Sequence, residues 1–115
     1  MCTYQTLYHN AREGYVIHCR QCNHLQTGFG NICITLSRQG FLSFLQYLRE
    51  CLTIADKDLD VKTFRIPTPY DGMHLLLTGG EIKRLVSMLD EAETEWRSLA
   101  LLELFRQGTG DERGE

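Results

Sequence analysis

The sequence predicts an α+β fold, an antiparallel sheet with two helices on one face. Three observations predict it. Short β-prone runs come in pairs with turn residues between them, and two amphipathic helical stripes follow, each behind a Ser or Thr. Residues 30–48 also lie over residues 71–89, placing Leu36 on Leu77, Ser37 on Thr78, Phe41 on Ile82, Phe44 on Leu85, Leu45 on Val86 and Leu48 on Leu89. That is the pattern of an internal ββα duplication. Sheets and amphipathic helices reach stability by covering each other's apolar faces.

The first two strands, 3–10 and 15–19, flank the polar stretch Ala11-Arg12-Glu13-Gly14, which reads as a hairpin turn. Strands 25–29 and 32–36 pair around Gly30. The first helix covers 37–53, with Ser37 as its cap and Phe41, Phe44, Leu45, Leu48 and Leu52 as one buried stripe. Strands 62–66 and 73–77 are separated by a loop holding Pro67 and Pro69, which lack the N–H that a central strand needs. The second helix opens on Thr78-Gly79-Gly80-Glu81, a capping box, and runs to about Gln107 on Ile82, Leu85, Val86, Leu89, Ala92 and Trp96. One domain over residues 1–106 and a disordered tail over 107–115 are expected.

The totals exclude several classes. At 115 residues with 43% hydrophobic content the chain suits a globular domain. A net charge of −3 with scattered Lys and Arg gives no basic stripe, which argues against nucleic acid. No run reaches the roughly 18 apolar residues of a membrane span, and the start MCTYQTLYHN has no secretory pattern. A cytoplasmic setting is the expectation. There the five cysteines stay reduced, and their odd number also argues against a disulfide framework.

Chemistry concentrates in His18-Cys19-Arg20-Gln21-Cys22-Asn23-His24. A Cys-x-x-Cys turn supplies two thiolates for one ion, and structural zinc needs four ligands in a tetrahedron. Cys19 and Cys22 are two, and His24 is the third. If residues 11–14 close the hairpin, Asn10 faces Tyr15, Cys19 faces Thr6, and Cys22 lies beside Thr3 and Cys2. Cys2 is then the fourth ligand, with His9 in reserve. His18 points to the other sheet face, because strand neighbours alternate. A redox pair and an ordinary turn are the competing readings. Redox motifs usually gain their low thiol pKa at a helix N-terminus, whereas this turn lies between strands. Glu13 is the nearest acid for a catalytic metal, and no zinc-protease motif is present, so a closed structural zinc site is preferred. Cys33 and Cys51 are expected as small core residues. Asp56, Asp58 and Asp60 alternate as in a calcium loop but lack its Gly and final Glu.

The second helix is longer than the body can cover, and its last turns read Leu99-Ala100-Leu101-Leu102-Glu103-Leu104-Phe105. Exposed apolar runs mark interfaces. A homodimer through this helix is expected, anchored by Trp96, Leu101 and Phe105. The alternative is a break that folds the helix back on its own core.

The stretch from Gly14 to Ser37 and the start Met1-Cys2 resemble a family of small uncharacterised bacterial proteins found mainly in Bacteroidota. Cys2, Gly14, the Cys19–Cys22 turn with His24, and Phe29-Gly30-Asn31 carry the resemblance, which extends to about residue 105. It implies a bacterial, cytoplasmic protein and no activity. The function read from the residues is a non-enzymatic, zinc-stabilised module acting by self-association or by binding a protein partner. The alternative is a small thiol- or metal-dependent enzyme, or a redox sensor, using Cys19 and Cys22.

Overall fold

A computed structural model describes residues 3–54 and 62–113, with backbone alone for 62, 63 and 107–113. The elements follow the order β1 (Tyr4–Asn10), β2 (Gly14–Cys19), β3 (His24–Phe29), β4 (Ile32–Ser37), α1 (Arg38–Thr53), β5 (Lys62–Pro67), β6 (His74–Thr78) and α2 (Gly79–Arg113). The fold is α+β, and the helices pack on the sheet. Asp56, Asp58 and Asp60 lie outside the described residues, as does Cys2.

One expectation about the sheet is corrected. The strands form two sheets, a four-stranded antiparallel β1-β2-β3-β4 and a separate β5-β6 hairpin. The free edge of β4 shows why they stay apart. The Tyr70 hydroxyl, from the proline-bearing loop, accepts the Thr35 N–H at 3.1 Å and donates to the Thr35 carbonyl at 3.3 Å. A side chain thus takes the backbone groups that another strand would pair with.

The helices begin as the caps dictate. Ser37 Oγ accepts the Gly40 N–H at 3.0 Å. Thr78 Oγ1 accepts the Glu81 N–H at 3.0 Å, and Glu81 Oε1 accepts the Thr78 N–H at 2.8 Å, closing the capping box. The residues aligned between the two halves, Phe41 with Ile82, Phe44 with Leu85, Leu45 with Val86 and Leu48 with Leu89, all enter one core. Val16, Leu25, Ile34 and Leu36 meet them from the sheet, and Ile66, Leu75 and Leu77 from the second hairpin. Arg49 of α1 pairs with Asp90 and, at 3.5 Å, with Glu93 of α2.

α2 does not break. It continues to Arg113, beyond the Gln107 end read from the sequence. At 1.5 Å per residue its 35 residues span about 52 Å. The molecule is correspondingly long, 61 × 29 × 25 Å. Leu99 still packs against the core, whereas Leu101, Leu102, Leu104 and Phe105 are more than half exposed.

Candidate metal centre

The site is built at one end of the four-stranded sheet. Strand pairing places Tyr4 opposite Cys19, His18 opposite Leu25, and His24 opposite Ser37. Directly opposed residues share a face. Val16, His18 and Leu25 therefore face the helices, while Cys19 and His24 lie on the opposite face. His18 lies on the face opposite Cys19, as strand alternation predicts. Its ring centroid stands 5.4 Å from that of Trp96 on α2.

The hairpin register differs from the expected one. Asn10 pairs with Gly14, and Cys19 pairs with Tyr4, not Thr6. Two local features cause the shift. Asn10 Oδ1 accepts the N–H groups of Arg12 at 2.9 Å and Glu13 at 3.1 Å, which closes a tighter turn. An irregularity then falls between Thr6 and Tyr8. Gly14 holds φ +152° with a would-be Cβ 1.8 Å from the Gly28 carbonyl oxygen, so this turn requires glycine. The shift moves His9 opposite Tyr15, four positions from Cys19 along β2. That is about 13 Å at 3.3 Å per residue, too far to share an ion.

The turn itself draws the thiols together. Asn23 takes the left-handed conformation at φ 59°, which asparagine tolerates. Its N–H donates to the Cys19 carbonyl at 2.8 Å, and its Oδ1 lies 2.8 Å from His18 Nε2. Cys19 Sγ and Cys22 Sγ are 3.0 Å apart, and the Cys22 N–H points at Cys19 Sγ from 3.4 Å. Cys19 is buried yet stands apart from the main apolar cluster, while Cys22 is exposed.

Thr3 is stitched to the same turn. The Arg20 N–H donates to the Thr3 carbonyl at 3.1 Å, and Gln21 Oε1 accepts the Thr3 N–H at 2.6 Å. Among the described residues, no three His, Cys, Asp or Glu side chains gather into a metal-binding cluster. The structure brings Cys19 and Cys22 together and leaves the exposed His24 side chain outside their group.

Other expectations divide. Cys51 is buried as expected, and burial pushes its thiol pKa up. Cys33 is exposed, against expectation, because it shares the outer face with its pairing partner Gly28. Its Sγ lies 3.3 Å from the Tyr15 hydroxyl, which also donates to Gln26 Oε1 at 3.0 Å. The Tyr15 ring crosses over Gly28, where a Cβ would stand 2.4 Å from a ring carbon. Glu13 sits at the far end of β2 and accepts the Tyr8 hydroxyl at 2.7 Å. A surface cleft of about 340 Å³ at that end is lined by Glu13, Tyr15 and Cys33, among others, and by neither Cys19 nor Cys22.

The three interface candidates separate as well. Trp96 is partly buried, edge-on to Phe41 and under the Arg38 guanidinium at 5.1 Å. Leu101 and Phe105 are exposed. The contacts around Trp96 were not read from the sequence. The Asn after the second cysteine was a usable sign of the turn's left-handed residue.

Fold and turn define a small α+β domain with a cysteine-bearing turn at one end of its sheet. The chain belongs to the DUF6686 family, a family of unknown function, which matches residues 1–105. No curated protein and no solved structure matches it. Among the described residues no helix is long and apolar enough to cross a membrane.

Proposed function

We propose that the chain is a non-enzymatic module whose N-terminal hairpin is clamped by zinc, and that it acts by self-association or by binding a protein partner. Cys2, Cys19, Cys22 and His24 would be the ligands, in a reducing, cytoplasmic setting. The observation that carries this reading is the Cys19–Cys22 turn, with two sulfurs 3.0 Å apart and a backbone N–H aimed at one of them. Two sulfurs at ~2.3 Å from a tetrahedral zinc stand about 3.8 Å apart, so a small rotation of the exposed Cys22 side chain fits them to the ion.

The remaining ligands have supporting positions. Thr3 is hydrogen-bonded to Arg20 and Gln21, and Cys2 precedes it in the chain. His24 would turn inward from the strand end next to β2, on the same face as Cys19. Bound zinc would hold four groups from the N-terminus, β2, the turn and β3 in one place, so its binding energy would become folding energy.

The 3.0 Å sulfur separation also favours a second reading, a thiol–disulfide sensor at the same pair. A catalytic version has less support, since Glu13 lies at the other end of β2.

The test is metal content by mass spectrometry on reduced, untagged protein, beside Cys22→Ser. The expected result is about one zinc per chain, lost in the variant together with several degrees of melting temperature. Metal-free protein from chelator-free purification, with an unchanged melting temperature in the variant, would leave the sensor reading.

A further inference from the structure

We infer that the exposed end of α2 pairs with the same segment of a second copy, antiparallel, about a two-fold axis between Leu101 and Phe105. This rests on the self-association reading above and gives it an occupant, an orientation and a register. Four observations carry it.

First, the apolar run is unspent. Leu101, Leu102, Leu104 and Phe105 are 56%, 58%, 63% and 71% exposed. Second, the run has one face. Leu101 and Phe105 are four residues apart and lie on the same side of the helix. Trp96 is about two and a half turns before Phe105, which puts it on the opposite side, where it meets Phe41 and His18. Trp96 therefore roots the helix in its own body, and Leu101 with Phe105 meets the partner.

Third, the area suffices for a pair. At these exposures the four side chains offer on the order of 500 Å² per copy, near the top of the range for a patch on a monomer. Pairing the patch with itself would remove about 1,000 Å² in all, the lower bound for a specific interface. A patch that meets its own copy about a two-fold axis needs no other complement.

Fourth, the polarity of α2 selects the orientation. The same helical face, followed back from the tip, carries Ser98, Thr94, Glu91 and Ser87, all exposed. Parallel pairing would bury those polar groups and set Glu91 against Glu91 of the second copy. Antiparallel pairing about a point between Leu101 and Phe105 sets apolar run against apolar run, keeps Glu91 away from its copy, and places the two bodies at opposite ends of the pair, with the last turns of each α2 running beside the other helix. Leu101 of each copy then lies beside Phe105 of the other.

The experiment uses the full chain in a Cys33→Ser background. Leu101→Cys and Phe105→Cys are made separately, mixed in equal amounts, and oxidised with glutathione disulfide. Mass spectrometry of the cross-linked peptides then reads the register. The predominant product expected is a disulfide between position 101 of one copy and position 105 of the other. A predominant 101–101 product would overturn the antiparallel register.

Sedimentation of the unsubstituted chain gives the second readout. A dimer is expected, with Leu101→Asp raising its dissociation constant about a hundredfold and Trp96→Phe changing it less than about threefold. Circular dichroism of each variant checks that the body remains folded. A monomer at tens of micromolar would overturn the inference. Zinc content measured on the same samples reports separately on the clamp, so either idea can fail alone.

Discussion

At the level of single residues, the four described cysteines occupy four different environments. Cys19 is buried beneath its own turn, Cys22 is exposed beside it, Cys33 lies open on the outer sheet face, and Cys51 sits in the core. Burial raises the Cys51 pKa above the ordinary 9.0, with Glu50 adding to the effect and a hydrogen bond from Tyr47 opposing it. The linkage has a definite sign. A thiol whose pKa is higher folded than unfolded stabilises the fold fully below the unfolded value, and that contribution is lost as pH rises through the folded one. Urea unfolding between about pH 8 and pH 10 should therefore show the native chain losing more stability than Cys51→Ala, which lacks the group. Equal losses would mean that the Cys51 thiol titrates as though exposed. The sequence distinguished these environments only in part. Cys51 was legible because a helix stripe names its buried face. Cys33 was not, because β4 alternates between faces and the register of a hairpin decides which residues go inside.

At the level of elements, the caps and stripes were legible and the register was not. Ser37 and Thr78 act as the local pattern requires, since a cap depends on residues within one turn. Thr78→Ala should lower stability by about 1 kcal/mol, measured by urea unfolding, because it removes one half of a reciprocal pair. A change below a few tenths would show that tertiary packing alone fixes the start of α2. The β1–β2 register depended on the side chain of Asn10 and on an irregularity near Leu7, and neither leaves a mark in hydrophobic periodicity. The division into two sheets was hidden for a similar reason. It turns on the Tyr70 hydroxyl reaching Thr35 across 35 residues of sequence. Local patterns named the elements, whereas individual side-chain hydrogen bonds, near for Asn10 and distant for Tyr70, shaped how they met.

At the level of the whole molecule, the candidate site and the extended helix lie at one end. His18 makes the connection, touching Asn23 of the cysteine turn and Trp96 of α2. Thr3 joins the chain start to the same turn. Half of the candidate site was legible as spacing, since Cys-x-x-Cys places its own two sulfurs. Whether a third and fourth ligand join them turns on how other segments approach that turn, which spacing does not encode. A zinc clamp, as proposed, would add one ion at this end of the sheet, where Thr3 is held to the turn by hydrogen bonds from Arg20 and to Gln21.

The measurement that tests the clamp most directly is cobalt(II) titration of the reduced, metal-free chain, followed by absorption spectroscopy and zinc competition. Cobalt reports its own geometry and its sulfur ligands. A zinc-type site of this kind should give a one-to-one tetrahedral spectrum with strong sulfur-to-metal charge transfer. Zinc should displace it, and Cys2→Ser, Cys19→Ser and Cys22→Ser should each weaken it. A spectrum no different from cobalt in buffer, with all thiols still open to alkylation, would contradict the clamp and leave Cys19 and Cys22 as a redox pair or an ordinary turn.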